Sequence, residues 1–202
     1  MIAIVDYGVG NLFSLKSSFA AIGAEVVVTA DRQVLENADK IILPGVGAFE
    51  DAARKLRQAG LDRVLVELAG KGKPLMGICL GMQMLFEKSY EFGEHEGLGL
   101  IPGAVRPIQN VIPADYKIPH IGWNALHFQK QSPLLANISD GDCVYFVHSY
   151  YAADCDDAVI ATTEYGAELT AAVQKGNVFG CQFHPEKSGK TGLAILRAFA
   201  EL

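Results

Sequence analysis

Cys79 lies in Gly77-Ile78-Cys79-Leu80-Gly81, directly after the apolar run Pro74-Leu75-Met76 and before Met82-Gln83-Met84-Leu85-Phe86-Glu87, which reads as a helix. A strand that turns into a helix around a residue flanked by glycines is the pattern of a nucleophile elbow, here with sulfur in place of a hydroxyl. At a helix N-terminus the unpaired backbone N–H groups and the positive end of the dipole favour thiolate, the form that attacks carbonyls. The N–H of Leu80 is placed to face the oxyanion that such an attack creates. An ordinary buried cysteine needs neither the flanking glycines nor the strand-to-helix switch.

A cysteine nucleophile needs a base, and Phe183-His184-Pro185-Glu186 supplies a histidine with a carboxylate two residues on. The run Asn177 to Phe183 reads as a strand entering a Pro-containing turn, so His184 emerges at a strand end. Glu186 can fold back on the imidazole, fix its tautomer and stabilise imidazolium. Alone, His184 would be read as a structural histidine; beside Cys79 and Glu186 it completes a triad. The loop Pro44-Gly45-Val46-Gly47 is the natural source of a second oxyanion donor, because a glycine-bounded loop after a neighbouring strand can aim N–H groups at the site. In isolation the same four residues would be a plain strand-to-helix turn.

The elements that must position these residues alternate in type. Ile2 to Val5 is a strand buried on both faces, and Leu12 to Ile22 is a helix whose Leu12, Leu15, Phe19 and Ile22 form one stripe, with Asn11 as N-cap and Gly23 as stop. Glu25 to Thr29, Lys40 to Leu43 and Pro74 to Ile78 read as strands, and Ala48 to Gln58 and Leu61 to Ala69 as helices. Such alternation implies parallel strands joined by right-handed crossovers. From Gly97 through Val178 the texture changes to short Gly- and Pro-rich strands, with a hairpin around Lys175-Gly176-Asn177, expected to add antiparallel strands to the sheet. Ser188 to Leu202 closes the chain as a helix. The expectation is one α/β domain over residues 1–202, a mostly parallel central sheet with flanking helices and antiparallel additions.

Gly-Ile-Cys-Leu-Gly-Met-Gln together with Phe-His-Pro-Glu resembles the class I (triad) glutamine amidotransferases. Four further stretches, Asp6 to Leu12, Leu43 to Phe49, His120 to Asn124 and Tyr145 to Tyr151, are similar to the branch that serves as glutaminase subunit of imidazole glycerol phosphate synthase in histidine biosynthesis. The resemblance covers nearly the whole chain and departs at no triad position. It implies hydrolysis of glutamine through a Cys79 thioester, with Gly47 and Leu80 at the oxyanion. It also implies substrate contacts from Gln83, Glu91, His148, Ser149 and Tyr150, Glu91 receiving the ammonium group. The implied partner is a (β/α)8-barrel cyclase subunit that consumes the ammonia, met by a face carrying Asn11, Trp123, Tyr145 and Lys187. The alternative for Trp123, the only tryptophan, is burial in the core.

Composition limits these readings. A chain of 202 residues fits one domain and leaves no room for a synthase domain of similar size, which places the acceptor chemistry on another polypeptide. The net charge of −6 comes from scattered acids and gives no nucleic-acid footprint. No apolar run is long enough to span a membrane, no leader-like segment opens the chain, and a cytoplasmic location is expected. The four cysteines lack C-x-x-C spacing; Cys143, Cys155 and Cys181 read as core or incidental thiols. No cofactor and no metal are expected. Gly8-Val9-Gly10 lacks the third glycine of a dinucleotide fingerprint, where Phe13 stands, and Gly189-Lys190-Thr191 lacks the first glycine of a P-loop, where His184 stands. His95, His120, His127 and His148 show no ligand spacing. Other readings compatible with the triad are a glutaminase of another pathway, such as anthranilate, aminodeoxychorismate or pyridoxal phosphate synthesis, and a stand-alone γ-glutamyl thiol hydrolase. An intact triad speaks against a non-enzymatic scaffold.

Overall fold

The computed structural model describes residues 1–202. Along the chain, β1 (Ile2–Val5) leads into α1 (Leu12–Ala21), β2 (Val26–Thr29) into α2 (Arg32–Asn37), and β3 (Lys40–Leu43) into α3 (Phe49–Gln58) and α4 (Leu61–Gly70). Next come β4 (Leu75–Ile78), the one-turn α5 (Leu80–Gln83), β5 (Phe86–Ser89), β6 (His95–Glu96) and β7 (Ile101–Pro107). The second half runs through β8 (His120–Ala125), β9 (His127–Phe128), β10 (Cys143–His148), β11 (Tyr150–Ala153), β12 (Val159–Glu164), β13 (Glu168–Lys175) and β14 (Val178–Cys181) to α6 (Gly189–Glu201).

The central sheet has the order β2-β1-β3-β4-β14-β13-β12-β9. β2 through β14 are mutually parallel, and β13, β12 and β9 add in antiparallel fashion, the first through the hairpin at Gly176. Strand alternation divides the core between two faces. Ala3, Val5, Ile41, Leu43 and Leu75 face one side, with α3 and α4, while Ile2, Ile4, Ile42, Met76 and Ile78 face the other, with Leu15 and Phe19 of α1 and Ile195, Leu196 and Phe199 of α6. Being buried on both faces is why these strands read as continuous apolar runs.

Three expectations need correction. The short strands of the second half do not all join the central sheet: β11-β7-β5-β6 and β10-β8 form sheets of their own, and β5 and β7 are parallel. The helix expected from Met82 to Glu87 stops after one turn, and Phe86–Ser89 is a strand. Backbone carbonyls that would extend it are taken from outside, Met84 O by Leu98 N–H, Leu85 O by Leu100 and Ile101 N–H, and Phe86 O by Gly99 N–H. Helix α2 was not expected; Asp31 caps it by accepting from the N–H groups of Gln33 and Val34, but only Leu35 is buried, so no apolar stripe announces it.

Candidate active site

Cys79 stands at the C-terminal end of β4 with φ 54° and ψ −112°, so the strain of the elbow is carried by the cysteine itself. Neither Gly77 nor Gly81 has a positive φ. Both are glycine for space: a Cβ on Gly77 would lie 2.5 Å from Gly81 O, and one on Gly81 would lie 1.9 Å from Leu43 O. The Cys79 N–H donates to Cys181 O at 2.8 Å, fixing the elbow to β14. Because α5 has a single turn, the local N–H groups at its start, Leu80 first among them, supply the positive field rather than a long helix dipole.

β14 ends at Cys181 and delivers His184 to the same place. The His184 N–H donates to Tyr145 O at 3.0 Å, and Ser188 Oγ donates to His184 O at 2.6 Å while accepting from Tyr145 N–H at 2.9 Å. The histidine backbone is thereby tied to β10. Its Nδ1 meets Glu186 Oε1 at 2.8 Å, both side chains almost wholly buried, which leaves Nε2 for Cys79. Burial opposes charging of His184, but contact with Cys79 and then with Glu186 outweighs it and raises the pKa to about 9. The imidazole is therefore imidazolium at neutral pH, paired with Cys79 on one side and carboxylate on the other. Glu186 Oε2 is buried without a hydrogen-bond partner.

These side chains open into a cleft of about 340 Å³ lined by Gly47, Cys79, Leu80, Gln83, Glu91, Ser149, Tyr150 and His184, with Val46, Pro119, Val147, His148 and Lys187 completing the wall. Gly47 has φ 90°, and nothing lies within 4 Å of where its Cβ would be. The root of that loop is held more closely. Tyr7 Oη donates to Pro44 O at 2.7 Å in the interior, and a Cβ on Gly45 would meet Gly81 N at 2.7 Å. Burial, and then the nearby Cys79, push the Tyr7 phenol pKa well up, so it stays a donor. Glu91 is half-buried, and its Oε2 accepts from Phe49 N–H at 2.6 Å, capping α3; burial raises its pKa despite that bond.

The expected substrate residues differ in what they can offer. Ser149, Tyr150 and Glu91 line the cleft. His148 offers only its backbone, because both ring nitrogens are engaged, Nδ1 with Tyr150 O at 2.8 Å and Nε2 with His120 Nδ1 at 3.0 Å. Burial drives its pKa down to about 3, so the ring is neutral. Gln83 Nε2 is likewise committed, to Tyr150 O and Gln182 Oε1.

Trp123 is not a core residue: it is 56 % exposed on β8, opposite Tyr145 of β10, with ring centroids 6.0 Å apart. Lys187 Nζ stands 6.0 Å over the Tyr145 ring, and Ile121, also exposed, shares the strand with Trp123. Asn11 starts α1, its Oδ1 accepting from Ser14 N–H, and α1 packs beside the Pro185–Lys187 turn. Tyr7, Gln182 and Ser188 were missed in the sequence. Gln182 carried a readable signal, a lone amide in the apolar run Val178 to Phe183, just beyond the end of β14.

The sequence matches the family model described as glutamine amidotransferase class-I over residues 3–201. It is 50 % identical over 199 residues to the imidazole glycerol phosphate synthase subunit HisH of Bacillus cereus, covering 98 % of this chain and 93 % of that one. It is 50 % identical over 203 residues to the HisH subunit of Caldanaerobacter subterraneus subsp. tengcongensis, covering 100 % and 98 %. Among solved structures, a glutamine amidotransferase superposes with a TM-score of 0.77 at 20 % identity, over 100 % of this chain and 98 % of that one. PurLQS from Thermotoga maritima superposes with a TM-score of 0.74 at 23 % identity, over 99 % and 97 %. At those identities the structural likeness speaks to the fold.

Proposed function

The chain belongs to the glutamine amidotransferase class-I family, and from that premise we propose that it hydrolyses glutamine at Cys79 and passes the ammonia to a cyclase subunit for imidazole glycerol phosphate synthesis. The observation that carries the chemistry is the burial of His184 between Cys79 and Glu186 at the cleft floor. The Cys79 thiolate attacks the side-chain amide carbon, and imidazolium His184 protonates the departing ammonia. His184, now neutral, takes a proton from water, which cleaves the γ-glutamyl thioester and restores the thiolate–imidazolium pair. Glu186 orients the ring throughout. Leu80 N–H and the Gly47 loop supply the oxyanion donors, while Glu91 and the Ser149–Tyr150 backbone hold the amino-acid end.

Identity of 50 % along whole HisH chains supports this branch over glutaminases of other pathways and over a stand-alone hydrolase. A (β/α)8-barrel cyclase is the partner we assign to the face bearing Trp123, Tyr145, Lys187, Ile121 and Asn11. An exposed tryptophan paired with a tyrosine and a lysine is the composition of an interface anchor. No helix is long and apolar enough to cross a membrane.

The test uses the complex assembled with that cyclase and follows product by ultraviolet absorbance. Cys79→Ser should abolish synthesis from glutamine and leave synthesis from ammonium salts intact, since the acceptor site is on the other chain. Loss of both activities in an assembled complex would overturn the division of labour.

A further inference from the structure

Behind Cys79 three amide groups form a chain with one possible direction. Tyr150 O, on the strand lining the cleft, can only accept, so Gln83 turns its Nε2 toward it, at 3.2 Å. The second hydrogen of the same nitrogen goes to Gln182 Oε1 at 3.0 Å. Gln182 is thus forced to present Nε2 on its other side, where it lies 3.8 Å from Cys79 Sγ. Turning Gln83 over would set its oxygen against Tyr150 O and Gln182 Oε1, and turning Gln182 over would set its nitrogen against Gln83 Nε2. Gln182 is fully buried and Gln83 is 5 % exposed, so water cannot relieve such a clash.

We propose that Gln182 is a thiolate-stabilising residue, donating to Cys79 Sγ, and that Gln83 is the positioning residue that fixes its direction from the Tyr150 carbonyl. The inference rests on the reading of Cys79 as nucleophile and adds a second polar partner for its sulfur beside His184. A charged sulfur accepts the amide N–H far better than a neutral thiol does, so the donor favours the reactive form. The titratable groups that also face Cys79 are His184, Tyr7 and Cys181. Beside His184, neither of the other two replaces the amide: Tyr7 spends its hydroxyl proton on Pro44 O, and Cys181 directs its thiol at Gly77 O. The chain also runs from the strand that holds the substrate to the atom that attacks it. A shift of Tyr150 O would reach the sulfur through two side chains.

The experiment is alkylation of the full-length chain by iodoacetamide across the neutral to alkaline range, with Cys79 modification read by peptide mass. Gln182→Met should slow Cys79 labelling at neutral pH about tenfold. Its rate curve should move to higher pH and reach the wild-type plateau. Gln182→Glu should do the same more strongly, by placing a carboxylate against the sulfur. Gln83→Glu leaves Gln182 in place but cannot donate to Tyr150 O and draws the Gln182 amide to itself, so it should slow labelling in the same direction. This third variant decides the matter should either Gln182 substitution fail to fold. Unmoved curves in folded variants, or a drop that persists at the plateau, would overturn the proposal, the latter because it reports altered access. If wild-type Cys79 is not labelled while other cysteines are, the nucleophile reading falls first and this inference with it.

Discussion

On the elbow wall of the cleft, Cβ atoms on Gly77 and Gly81 would stand 2.5 and 1.9 Å from backbone oxygens, whereas on the facing loop a Cβ on Gly47 would touch nothing within 4 Å. Both walls are glycine-rich, but the residue serves different ends. Around Cys79 it allows backbone to lie on backbone, and in a close-packed interior such a contact cannot be relaxed by a rotamer change. Around Gly47 it allows a left-handed φ in open space. The loop is nevertheless fastened at its root, where Gly45 meets the elbow and Tyr7 holds Pro44 O. Cys79 is therefore fixed by packing, while the loop tip that faces it has room to adjust.

The contrast can be broken most severely at Gly81. Gly81→Ala drives a methyl group into Leu43 O and should cost about 4 kcal/mol or more, enough to remove most folded protein. Circular dichroism and soluble yield measure this. A folded variant of wild-type stability would mean that the elbow wall is not close-packed.

Next in size are the proton-carrying groups on the packed side. His184→Ala should lower glutamine turnover in the complex on the order of 10⁴-fold, and Glu186→Gln about 10²-fold, because the carboxylate only orients and stabilises the ring. Equal or reversed losses in steady-state assays would reassign the roles. The pH dependence has a definite sign. The folded pKa of His184, about 9, lies above the ordinary 6.5, so its stabilising proton is fully present below 6.5 and is lost as pH rises through 9. Turnover should fall on the alkaline side with that loss. Glu186→Gln should move the alkaline limb to lower pH, since the carboxylate is one of the groups that raise the pKa.

The smallest effect belongs to the open wall. Gly47→Ala meets no atom but places a methyl at φ 90°, which costs about 1–2 kcal/mol and should lower the melting temperature by a few degrees. Thermal denaturation of this variant beside Gly81→Ala measures the difference between the two walls directly. Comparable losses would erase it.

Much of the geometry of this site was legible in the sequence because the residues we assign to the chemistry are rare types in restrictive surroundings. Cys79 between two glycines and His184 two residues before Glu186 need only local pattern, and β1 and β3 need only an apolar run. What escaped depends on partners far along the chain. The elbow helix is cut short by N–H groups of residues 98–101, the glycines of the elbow answer to Leu43 O, and the direction of Gln182 is set by Gln83 and Tyr150. The exposure of Trp123 was undecidable from its type alone, since tryptophan suits both a core and an anchor. His148 shows the converse: its place beside the cleft was readable, but the His120 contact that occupies its ring was not.

Strand β10 carries a further consequence through Tyr145. Its ring belongs to the exposed aromatic face, and its carbonyl holds the backbone N–H of His184. One residue is thus both handle and mount. For inhibitor design, a small molecule or binding protein seated on Trp123 and Tyr145 would grip the strand to which the His184 backbone is tied. Turnover could then be tuned from outside the cleft by a compound that need not resemble glutamine.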